Sequence, residues 1–145
     1  MTATVISLDK TVKTTGVSER FVKTVAASVF RRLKDDSAIV GVHFIGDKRM
    51  CGLNFHHRGL NRPTDVLAFA LRDGDKFADK KDWGDIFLCV PQIRRQAKRF
   101  RVSYREELSR MLIHGLLHLA GYDHERKEDA NVMFSLQEEL LFNII

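Results

Sequence analysis

The stretch from Ser103 to His124 constrains this chain more than any other. Ser103 and Glu106 form an S-x-x-E capping box, which predicts a helix opening there. The helix is expected to run to about Ala120, where Gly121 can take the left-handed conformation that ends a helix and turns the chain back. At about 3.6 residues per turn, a four-residue step returns to within about 40° of the same direction. His114 and His118 therefore project from one face of that helix, and His124 can return to the same point after the glycine turn.

The other elements have to be arranged around this helix. Thr4 to Leu8 alternates weakly and reads as a strand. Ser18 opens a helix in which Phe21, Val22, Val25, Val29 and Leu33 recur at helical spacing. Ala38 to Ile45 is apolar and β-branched, hence a strand, and Asp47 caps a short helix through Met50, Leu53 and Asn54. A loop from His57 to Pro63 leads to a strand over Thr64 to Leu71. Arg72 to Asp82 is polar and reads as an exposed loop. Gly84 to Val90 is a further strand, and Pro91 suits the first turn of a helix ending near Arg101. A last amphipathic helix covers about Asp129 to Phe142, with Val132, Met133, Leu136, Leu140 and Leu141 on one side. The 145 residues suit one domain, an α+β or mixed α/β layer fold in which a mixed sheet of about four strands packs with about five helices.

Three neutral imidazoles suit zinc, and three protein ligands leave a fourth position for water, as in catalytic sites. An incidental pair would account for one histidine, not for three of the six at these spacings. The spacing matches the H-E-x-x-H-x-x-G-x-x-H pattern of one zinc protease group. Gly115 stands where those proteases carry their general base, so peptide hydrolysis by that route is not expected. A metal ion acidifies water to near neutral pH without a carboxylate beside it and polarises a phosphoryl oxygen, which suits phosphodiester hydrolysis. Such a site needs positive charge for the transition state, and Arg58, in the loop before Pro63, is the candidate.

The run His114-Gly-Leu-Leu-His-Leu-Ala-Gly-Tyr-Asp-His124 resembles the signature of the YbeY endoribonucleases, the bacterial and organellar rRNA maturation factors. Asn54-Phe-His-His-Arg58-Gly-Leu-Asn-Arg-Pro63-Thr-Asp-Val-Leu-Ala-Phe69 is similar to a second family segment, and Gly84-Asp85-Ile86 to a third. The resemblance implies a small α+β fold with one zinc ion held by His114, His118 and His124 at one end of a cleft, and a functional arginine at Arg58. It implies a metal-dependent single-strand endoribonuclease in 16S rRNA 3′-end maturation and ribosome quality control, with the small ribosomal subunit and its proteins as partners. The family usually has tyrosine at His57, aspartate at Asn61, serine at Ala68 and proline at Ala70; these departures touch neither the metal ligands nor Arg58.

Other residues fill out the expectation. Arg94, Arg95, Lys98 and Arg99, with Arg101 and Arg105 beyond, form a basic stripe that either tracks an RNA backbone or is a solvated helix face. The formal net charge of +5 is compatible with an anionic partner. Asp85 and Asp123 are candidates for orienting a ligand imidazole, and Asp65 for bracing a loop. His56 and His57 lie near enough to Arg58 in sequence to meet substrate, whereas His43 sits in a strand and reads as core or edge. Two cysteines in no paired motif, Cys51 and Cys89, read as small core residues of a protein in a reducing cytosol. No apolar run reaches the ~18 to 20 residues of a membrane span, and the first ten residues lack the pattern of a secretory signal, so a cytoplasmic location is expected. Two other readings stay open: a ribosome-associated RNA-binding assembly factor with a mainly architectural metal, and a metalloprotease. The oligomeric state is not legible.

Overall fold

The computed structural model describes residues 5–10, 12, 14–35, 37–71 and 82–145. The expected Arg72 to Asp82 loop lies outside them, except that Asp82 opens a strand. The elements are β1 (Val5–Lys10), α1 (Glu19–Arg32), β2 (Ile39–Ile45), α2 (Asp47–Arg58), β3 (Val66–Ala70), β4 (Asp82–Cys89), α3 (Val90–Phe100), α4 (Tyr104–Leu119) and α5 (Lys127–Ile144). The architecture is α+β, with helices packed on a mixed sheet of order β1-β2-β4-β3. β2 runs parallel to both β1 and β4, and β3 pairs antiparallel with β4, Val66 opposite Leu88 and Ala70 opposite Gly84. This leaves β3 at an edge of the sheet, and a cleft opens along it.

Alternation along the strands gives the sheet two faces. On one, Val40, Val42, Phe44, Ile86 and Leu88 pack with Val22, Val25, Val29 and Phe30 of α1 and with Leu108, Leu112, Ile113 and Leu116 of α4. On the other, Ile45, Leu67 and Cys89 meet Met50 of α2, with Leu53, Phe69 and Phe87 against them. α4 packs across β3 and β4 and is flanked by α1, α3 and α5, and its length holds the histidine face at the β3 edge.

Two sequence expectations need correction. Val132 does not face the core: it is 59% exposed, and the buried side of α5 consists of Met133, Gln137, Leu140 and Leu141. Secondly, α2 does not stop near Asn54 but continues to Arg58, where Gly59 at φ 72° closes it with its N–H on the Phe55 carbonyl. Arg58 thus belongs to a helix end rather than a loop. Cations are favoured in the last turn of a helix, and His56, His57 and Arg58 occupy it here.

Gly84 in β4 has φ +119°, and a Cβ there would collide with the Phe69 carbonyl across the β3–β4 ladder. Gly84→Ala is expected to lose on the order of 3 kcal/mol of stability from backbone strain and overpacking. Chemical denaturation of the two proteins measures it.

Candidate metal centre and active cleft

α4 ends as its sequence requires. Ser103 caps it by accepting the Glu106 N–H at 3.0 Å, while the Glu106 carboxylate is taken by Arg110 at 3.0 Å. At the other end the N–H of Gly121 reaches the His118 carbonyl and that of Tyr122 the Leu117 carbonyl, a paired closure with Gly121 at φ +105°. The chain reverses there, and Asp123 Oδ1 accepts the backbone N–H groups of His124, at 2.6 Å, and Glu125, at 3.1 Å. Asp123 therefore shapes the turn that presents His124.

The result is a cleft of about 460 Å³ lined by Arg58 and His57 from the end of α2, by 64–69 of the β3 edge, and by His114, Gly115, His118 and His124. Residues far apart in sequence thus share one concave site. Asn54 helps set its wall: buried in α2, it donates through Nδ2 to the Arg62 carbonyl at 2.8 Å and ties the 59–63 turn to the helix. Asp65 braces the start of β3, with Oδ1 accepting the Val66 N–H at 2.7 Å, and it also faces the cleft. The family resemblance places the Asp65 strand near the cleft, and Asp65 does line it. Of the departures from the family pattern, His57 and Ala68 line the cleft, and the His57 ring packs on Phe69 at 4.5 Å between centroids.

The His124 ring lies 5.7 Å from that of His114 and 6.2 Å from that of His118, between centroids. Phe134 of α5, 44% exposed, lies nearly parallel to His114 at 5.9 Å and to His124 at 6.2 Å. Among the described residues, no three His, Cys, Asp or Glu side chains stand at ligating distance of a common point. His118 and His124 are exposed, however, and their rings turn about single bonds. His114 is the fixed member: its Nδ1 meets Gln137 Oε1 at 2.8 Å. Burial pushes the His114 imidazole below its ordinary value, with His124 and His118 adding to the shift and Gln137 and Asp65 opposing it. The neutral imidazole that results is the form that ligates a metal. The donor set therefore fits an imidazole-seeking divalent ion.

Gly115 explains the missing general base. A Cβ at this position would stand 3.1 Å from Ile86 Cγ2 and 3.3 Å from Val66 Cγ2. The helix lies so close to the sheet that an added side chain would have to push Ile86 and Val66 aside by a few tenths of an ångström. Gly115→Glu is expected to lose about 1–3 kcal/mol from overpacking against Ile86 and Val66, and to gain no peptidase activity. A denaturation curve and a peptide-cleavage assay check the two halves of that expectation.

The remaining expected site residues fall outside the cleft. Asp85 does not face His114, His118 and His124: it pairs with His43 Nε2 at 2.8 Å, because alternation along β4 puts it on the sheet face opposite to Ile86, where His43 of β2 also stands. On α3, Arg95 is engaged by Asp47 through contacts of 2.7 and 3.0 Å, and the Arg94 guanidinium lies 4.1 Å from the centre of the Tyr104 ring. Lys98 and Arg99 are exposed, Arg99 over Phe100.

The family model for Endoribonuclease YbeY matches residues 6–144. The chain belongs to the YbeY endoribonuclease family. Endoribonuclease YbeY of Persephonella marina is 36% identical over 140 residues, which cover 96% of this chain and 92% of that one. The YbeY protein of Shouchella clausii is 41% identical over 111 residues, 70% of this chain and 69% of the relative. Among solved folds, the solution structure of TM1509 from Thermotoga maritima superposes with a TM-score of 0.66 at 27% identity, covering 97% of this chain and 89% of that one. The YbeY match spans every element that builds the cleft, from α2 to α5. Among the described residues no helix is long and apolar enough to cross a membrane.

Proposed function

We propose that the chain is a zinc-dependent endoribonuclease that cuts single-stranded RNA, and that its substrate is the 3′ region of small-subunit 16S rRNA during maturation and ribosome quality control. The observation that carries this reading is the convergence of Arg58 with His114, His118 and His124 on one cleft in a chain of the YbeY family. In the proposal the three imidazoles hold one zinc ion, which supplies Lewis acidity and acidifies water near neutral pH. Arg58, at the lip of the cleft, binds the scissile phosphate and neutralises charge developing on its non-bridging oxygens. Asp65 sits in the same cleft as the carboxylate available to accept or relay a proton.

An opening along an exposed sheet edge suits an unpaired strand, which can bend its backbone into the cleft. Lys98 and Arg99 on α3 are proposed to add phosphate contacts outside it, with Arg94 and Arg95 contributing less because Tyr104 and Asp47 hold them. The partners proposed are the small ribosomal subunit and its proteins, in the cytoplasm.

The test is cleavage of matched single-stranded and duplex RNAs carrying the 16S 3′ sequence. Metal-dependent cutting of the single strand alone is expected, and equal cutting of the duplex would contradict the proposal.

Gly115 and the open spacing of the rings favour a second reading, an RNA-binding assembly factor with a mainly architectural metal. Capture of small-subunit particles by wild type and by His118→Ala separates the two. Equal capture by a catalytically silent wild type would select the second.

A further inference from the structure

Gln137 is a buried polar residue on the apolar face of α5, 4% exposed, and the chemistry proposed above assigns it no role. Both ends of its amide are engaged. Oε1 meets His114 Nδ1 at 2.8 Å, and Nε2 donates to Glu138 Oε2 at 3.1 Å. The second contact decides the orientation of the amide, because a flipped group would set its oxygen against the Glu138 carboxylate.

Glu138 is itself held in place. Arg110 Nε donates to Glu138 Oε2 at 3.1 Å, while the two Nη atoms of Arg110 reach Glu107 at 2.6 Å and Glu106 at 3.0 Å. Glu107 is buried and accepts from Gln96 of α3 at 3.1 Å. The chain of contacts runs from α3 through α4 to Gln137 and ends on His114. An amide oxygen facing Nδ1 requires a proton on that nitrogen, which leaves the lone pair on Nε2 of a ring lining the cleft.

We propose that Gln137 is the positioning residue of the site: oriented by Glu138 and Arg110, it fixes His114 as the Nδ1–H tautomer with Nε2 as the metal donor. Metal-ligating histidines commonly give their second nitrogen to such a partner, and loss of the partner typically costs about 10–100-fold in metal affinity. The proposal rests on the reading of the cleft as a zinc site, and its test keeps the two apart.

The tautomer of His114 is read by long-range ¹H–¹⁵N NMR on the metal-free chain, above the titration range of the histidines. Zinc affinity is read by competition with a chromophoric chelator. Wild type is expected to show Nδ1–H at His114. Gln137→Leu, which keeps the bulk and removes the acceptor, is expected to release that tautomer and weaken zinc about 10–100-fold. Gln137→Glu restores the acceptor to Nδ1 and is expected to return the tautomer, at a cost in stability because its second oxygen is set against Glu138. An Nε2–H tautomer in wild type would overturn the proposal without any variant. Unchanged tautomer and zinc affinity in Gln137→Leu would overturn it alone, with the metal reading intact. Absence of zinc uptake by wild type would overturn the metal reading and the donor role together.

Discussion

His118→Ala is expected to strip zinc from the cleft and abolish RNA cleavage while leaving the fold intact. His118 is exposed near the end of α4, so its truncation removes little packing, and stability should stay within about 0.5 kcal/mol of metal-free wild type. The expected effect on metal is far larger. An ion on three imidazoles has few ligands to lose, so removing one should cost more than the roughly 10–100-fold that loss of an outer partner costs. Elemental analysis, a thermal melt and a single-turnover cleavage assay on the same preparation separate loss of metal from loss of fold. Retained zinc in a folded His118→Ala protein would remove this residue from the ligand set.

Arg58→Ala is the second large effect, and its signature is different. Cleavage should fall about 10²- to 10³-fold, the range for removing a single preorganised donor to transition-state charge, while zinc content is unchanged. The loss should appear in the single-turnover rate more than in RNA affinity, because the charge it neutralises develops during bond breaking. Arg58→Lys should recover only part of the rate, since an ammonium lacks the fork that spans two phosphate oxygens. The position also makes this variant structurally mild. Arg58 is an exposed terminal residue of α2, and Gly59 rather than Arg58 closes the helix.

How much of this was legible in the sequence depended on the range of the forces involved. Local chemistry was readable: the Ser103 cap, the Gly121 closure and the helical pairing of His114 with His118 follow from a few neighbouring residues. The strands and most helix limits followed for the same reason. α2 was read too short because its last turn carries polar His56, His57 and Arg58, which bury nothing and so leave no periodic signal. Asp85 was assigned toward the metal when only pairing across the sheet could show that His43 is its neighbour.

Gln137 left a signal that went unread. It stands four residues after Met133 and three before Leu140 on the buried face of α5, and a polar side chain there needs a partner. That the partner is His114 depends on how α5 docks against α4, which no local pattern encodes. Gly115 stands out in the sequence for the carboxylate it lacks, and the structure adds that Ile86 and Val66 crowd any side chain there.

In the proposed mechanism one metal ion in this cleft is required for cutting RNA. A zinc titration of chelator-stripped protein tests it most directly, with the cleavage rate of a defined single-stranded RNA followed at each step. The rate should start near zero, rise with added zinc and break at one equivalent per chain. Undiminished cleavage by the stripped protein, or a rate indifferent to zinc, would contradict it.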